Sequence, residues 1–137
     1  MPIYPGVGGS TSYVALVPPT TAIYPGDIPF DLFAAEAKAD ITGKASAAVG
    51  LGPTPGLIEQ QTVSISGFFS ADPGVFEIDI ETADIDADGN YVAETTTITA
   101  VNASNAFHVL YTVKARFLRA FVKTLTNAVN LTLTAQV

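Results

Sequence analysis

Three observations predict a mainly β chain, an antiparallel β-sandwich of jelly-roll type behind an extended Pro/Gly-rich N-terminal arm. From Gln61 onward apolar and polar residues alternate with a period of two, the signature of half-buried strands. The candidate strands recur about every ten residues with no helical pattern between them, which is the spacing of sandwiches and jelly rolls. Eight of the nine prolines lie within residues 1–56, so the first third of the chain differs in kind from the rest.

Residues 1–56 therefore read as an arm and loops. "IYPG" occurs at 3–6 and again at 23–26. Proline fixes φ and lacks an N–H, and Pro-Gly favours a type II turn, so each copy turns an otherwise extended segment. Turn chemistry explains the pair without invoking a repeat. The Ala-rich stretch "FDLFAAEAKAD" (30–40) predicts one short helix, with Asp31 as its N-terminal cap.

Residues 57–137 read as the sandwich domain. "TVSISGFF" and "VFEIDIET" alternate, and "VNLTLTAQV" does so throughout: Val129, Leu131, Leu133, Ala135 and Val137 face one way and the intervening residues the other. "FHVLYTV" and "RFLRAFVKTL" supply two more strands, with the turn into the last strand in "NAVN" (127–130). A parallel α/β architecture does not fit this pattern.

The chain has 137 residues, enough for one domain that buries about two-thirds of its unfolded surface. It has no cysteine, which excludes disulfides and thiolate metal sites. Thirteen acids against six bases give a formal net charge of -7, a balance that disfavours nucleic acid, whose binding needs clustered Lys and Arg. The opening residues lack a basic segment and hold only the short apolar run "YVALV", and no stretch approaches the roughly 20 apolar residues of a membrane span. These features predict a soluble product of cytoplasmic synthesis that has no membrane partner.

Local chemistry is concentrated in "DIDADGNYV" (84–92). Asp84, Asp86 and Asp88 occupy the first, third and fifth positions of a calcium loop, with Gly89 at the sixth. The twelfth position is Thr95, where such a loop needs a bidentate acid, and no helices are predicted on either side. Asp88-Gly89 also suits a tight hairpin turn between two strands, and that reading needs less. The three aspartates stay as a weak calcium candidate.

Just before this turn, Glu77, Asp79 and Glu81 share one strand face at about 6.6–6.8 Å intervals. That spacing suits a pair of glycosidase carboxylates, but the chain has no Trp to stack on sugars, and a solvated acidic face is the simpler reading. No Lys or Arg lies between Lys44 and Lys114, after which Lys114, Arg116, Arg119 and Lys123 follow within ten residues. The acidic and basic strands can pair across the sheet or between subunits, and the sequence leaves both open. His108 is the only histidine and alternates outward, with no nucleophile-elbow motif to serve. No enzyme and no cofactor is predicted.

The second half, about residues 67–137, resembles small β-sandwich virion structural proteins of tailed bacteriophages. The resemblance rests on "GVFEIDIE", the Asp-Gly turn in "DADGNYV", a Thr-rich strand, "RFLRAFVKTLT" and the terminal "VNLTLTAQV". Many members carry Trp after the turn, where this chain has Tyr91. The resemblance implies a capsid decoration (cement) protein on the exterior of the virion. Its partners would be the major capsid protein and itself, as a homo-trimer. Candidate assembly contacts are Tyr4 and Tyr24 in the arm and Glu77, Asp79, Glu81, Arg116 and Arg119 in the sandwich. A tail or fibre component is the nearest alternative; a calcium-assisted carbohydrate-binding module and a small hydrolase are alternatives of other classes. Mean hydropathy of +0.37 and the arm both suit a chain whose apolar surface is covered by partners.

Overall fold

The computed structural model describes residues 29–51, 61–94, 97–113 and 115–137. Among them, eight strands form: β1 (Phe30–Ala37), β2 (Val49–Gly50), β3 (Gln61–Phe69), β4 (Phe76–Ala83), β5 (Val92–Ala93), β6 (Ala106–Val113), β7 (Phe117–Leu125) and β8 (Asn130–Gln136). One helical turn, α1 (Lys38–Ile41), and a 3-10 turn at Asp88–Asn90 complete the described elements. No helix among these residues is long and apolar enough to cross a membrane.

The strands make two four-stranded sheets in the orders β1-β8-β3-β6 and β2-β7-β4-β5. All strand pairings are antiparallel. Successive strands step from one sheet to the other at every connection except β4 to β5, which gives the eight-stranded jelly roll. The mainly β sandwich expected from the alternating pattern is the fold observed.

Alternation decides the two faces of each sheet. Val63, Ile65, Leu131, Leu133 and Ala135 from one sheet meet Ile78, Ile80, Leu118 and Ala120 from the other, and all nine are fully buried. Phe69 and Phe76 meet edge-on at 4.9 Å between ring centroids, with Phe107 at 6.2 Å from each. Gly67 makes room for that cluster, since a Cβ there would lie 2.1 Å from the Phe107 ring. It pairs across the strands with Phe107, so the missing side chain is replaced by a neighbour's ring.

Three expectations need correction. The boundary at residue 56 does not separate arm from sandwich: β1 and β2, from residues 30–50, are an edge strand of each sheet. The predicted helix over 30–40 is mostly strand, and Asp31 pairs with Thr134 of β8 instead of capping a helix. Alanine's helix propensity is a weak local preference, and burial of Leu32 and Phe33 beside β8 outweighs it. Only the last residues of that stretch enter α1.

The third correction concerns the acidic turn. β4 and β5 do form a hairpin, with Glu81 opposite Ala93 and Thr82 opposite Val92. Asp88-Gly89 is not its two-residue tip, however. An eight-residue connection, 84–91, carries both residues in the 3-10 turn. Gly89 is not among the described residues with positive φ, which a tight primed turn would require.

Candidate functional site

A cluster of charged side chains lies on the outer face of the β2-β7-β4-β5 sheet. Burial of Phe76, Ile78 and Ile80 turns Glu77, Asp79 and Glu81 of β4 outward. On β7, burial of Leu118, Ala120 and Val122 turns Arg119 toward the same face, directly opposite Glu81. Arg119 Nε donates to Glu81 Oε1 at 2.8 Å, and its terminal nitrogen donates to Asp88 Oδ1 at 2.9 Å.

The 84–91 connection folds back over this arginine. Its last residue, Tyr91, places its ring 3.9 Å from the Arg119 guanidinium carbon, and the Tyr91 hydroxyl donates to Asp86 Oδ1 at 2.7 Å. Arg119 is thus held by two carboxylates and an aromatic face. Burial pulls its pKa down, but the hydrogen bonds and charges of Glu81 and Asp88 outweigh that and raise it. Burial also raises the Tyr91 pKa, reinforced by the hydrogen bond to Asp86.

A bulge positions the second base. The register between β4 and β7 shifts between Glu77 and Ile78, leaving Lys123 as the extra residue between Val122 and Thr124. Its Nζ lies 3.5 Å from Glu77 and 3.7 Å from Asp79. Thr97 Oγ1 also donates to Asp79, at 2.8 Å. The question left open by the sequence has an answer for these residues: the acidic and basic strands pair within one chain.

The candidate residues therefore divide. Glu81 and Arg119 meet in one cluster, which also enlists Asp88, Tyr91 and Asp86, and Glu77 and Asp79 meet at Lys123 in a second cluster on the same sheet face. Arg116 stays outside it: its guanidinium carbon lies 5.4 Å from the Phe117 ring centroid, and its Nε has no hydrogen-bond partner. Tyr4 and Tyr24 lie outside the described residues. Asp84, Asp86 and Asp88 do not converge on a common point; Asp86 accepts from Tyr91 and Asp88 from Arg119. Among the described residues no three His, Asp or Glu side chains are placed to share a metal ion.

The other sheet presents a different surface. No Asp, Glu, Lys or Arg lies on β3, β6 or β8. His108 is exposed on β6, as its alternation requires, and its ring lies between two serines of β3. Ser64 Oγ is 2.9 Å from Nε2 and Ser66 Oγ is 3.2 Å from Nδ1. In the neutral imidazole one ring nitrogen donates and the other accepts. The group opposite the Ser64–His108 pair is thus a second hydroxyl, where a nucleophile-activating triad has a carboxylate.

Sequence reasoning missed Tyr91, Asp86 and Thr97 as members of the charged network and the two serines as partners of His108. Alternation alone places Ser64 and Ser66 on one face. Only the pairing of Ser66 with His108, across 42 residues, brings them to the imidazole. No protein-family model matches the chain, and no curated protein matches it.

Proposed function

We propose that the chain is a structural protein of a bacteriophage virion, most specifically a capsid decoration (cement) protein that stabilises the shell by contact and not by chemistry. The observation that carries this reading is a jelly roll whose charged side chains on β4 and β7 are engaged within the chain. Glu77, Asp79, Glu81, Asp86, Asp88, Arg119 and Lys123 all have partners within the chain. Capsid domains, lectins and cupins share this fold, so the site must choose among them. Lectin and cupin functions ask for free polar groups around a ligand or several metal ligands, whereas a cement protein asks for stable, mutually satisfied surfaces. Contacts to neighbouring capsid subunits would come from the uncharged strands β3, β6 and β8 and from the Pro/Gly-rich N-terminal sequence. The second sheet would face solvent at the capsid exterior.

The test is sedimentation of particles released from cells that carry the coding sequence. The chain should band with intact phage particles in a density gradient, and antibody against it should label the capsid surface. A chain that stays at the top of the gradient while particles band below contradicts the reading.

A further inference from the structure

The four sheet edges are protected unequally. β2 and β5 are two residues each, too short to template another strand. β1 is longer, but register shifts break it between Asp31 and Phe33 and between Phe33 and Glu36. Ala35 has φ of 54°, and Asp31 and Glu36 are exposed along it. Bulges and charges of this kind keep an edge from pairing with another chain. β6 has neither: it pairs with β3 over eight consecutive residues without a shift and carries no Asp, Glu, Lys or Arg.

The hydrogen bonds show which part of β6 is open. Phe69 N–H donates to the Asn105 carbonyl, so in this register the odd-numbered residues of β6 bond to β3 and the even-numbered ones point outward. At Ala106 the outward groups are satisfied by Asn102, which donates its N–H to the Ala106 carbonyl and accepts from the Ala106 N–H through Oδ1. Nothing among the described residues pairs with the outward groups of His108, Leu110 and Thr112. Among the described residues no strand pairs with β6 on that side. This window is symmetric about Leu110, which is 66% exposed.

We propose that the β6 edge pairs with the β6 edge of a second copy, antiparallel about a two-fold axis at Leu110, joining two β1-β8-β3-β6 sheets into one continuous sheet. A window centred on one residue is self-complementary: Leu110 faces Leu110 of the second copy, and His108 and Thr112 face each other's counterparts. All three pairs fall at hydrogen-bonded positions, giving about six N–H···O bonds. The two apolar leucines meet at the centre, where neither meets a charge. A chain of net charge -7 repels its copies, and β6 is remote in its sheet from the carboxylates of β1 and lies in the sheet that does not hold the acidic β4. The pairing is isologous, so it joins copies in twos, unlike the trimer that the phage resemblance implies. It rests on the edge geometry alone and stands apart from the virion reading.

The 137-residue chain contains no cysteine, so L110C introduces a single reporter thiol. At a hydrogen-bonded antiparallel pair the two Cα atoms lie about 5.5 Å apart, within disulfide reach. Light scattering should give the wild-type chain twice its 14.2 kDa mass, and mild oxidation should convert L110C to a covalent dimer. V75C, on a residue 67% exposed outside β6, should stay uncrosslinked under the same conditions. L110K places two like charges face to face and should shift the chain to monomer with its β-type circular dichroism unchanged. A wild-type monomer overturns the proposal, as does an oligomer that survives L110K or a rate of crosslinking in the L110C variant no faster than in V75C.

Discussion

The outer faces of the two sheets are built on opposite plans. On β4 and β7 the charges are numerous and each finds a partner in the same chain, so the face is closed on itself. On β3, β6 and β8 there are no acids or bases, and hydroxyls, one imidazole and exposed Phe68 and Leu110 lie beside an open edge. The difference teaches which surface is available for association. A charged face whose groups are already paired gains little from a new partner, whereas an uncharged face loses little on leaving water.

The inner faces should not share this asymmetry. Ile80 of β4 and Leu133 of β8 are both fully buried, so Ile80→Ala and Leu133→Ala should each lower stability by about 2–5 kcal/mol in urea unfolding. A large loss at one position and none at the other would break the picture of a single shared core.

The next largest effect separates the outer faces. Arg119 has a side chain only 13% exposed and holds Glu81, Asp88 and the Tyr91 ring, so Arg119→Ala should cost about 2 kcal/mol. His108→Ala, on the exposed polar face of the other sheet, should stay within about 0.5 kcal/mol. Equal tolerance at both positions would remove the distinction.

Tyr111 belongs to β6 but responds to the charges of the other sheet. Burial raises its pKa from 10.0 to about 12, with further contributions from Asp79 and Glu94. The folded state holds this proton more tightly than the unfolded chain, so the stability it contributes is intact below pH 10.0 and is lost as pH rises toward about 12. Tyr111→Phe should flatten that part of the alkaline stability profile. An identical decline in the variant would assign the loss to other groups.

The smallest effect concerns calcium. Asp86 and Asp88 are already engaged by Tyr91 and Arg119, so millimolar calcium should leave the Tm unchanged. A rising Tm on titration would revive the calcium loop.

These outcomes bear on how far the sequence could be read. Alternation in "VNLTLTAQV" and "VFEIDIET" assigned buried and exposed faces correctly, because strand period depends on burial and little else. The Ala-rich "FDLFAAEAKAD" misled for the complementary reason: its local preference is helical, and pairing with β8, about a hundred residues later, decides otherwise. The acidic and basic strands were visible as compositional blocks. Their mutual pairing was not, since Glu81 and Arg119 meet through a sheet register set by the whole fold. Residues separated by a long connection, such as Ser66 and His108, leave no local signal at all.

Ionic strength tests the contrast between the faces most directly. Salt at about 1 M shrinks the Debye length to roughly 3 Å and weakens exposed ion pairs while leaving apolar and backbone contacts in place. The self-association of the 137-residue chain, followed by light scattering from low salt to about 1 M sodium chloride, should therefore hold constant or strengthen. Dissociation as salt rises would mean that the charged β4–β7 face makes the contact, and would contradict the account.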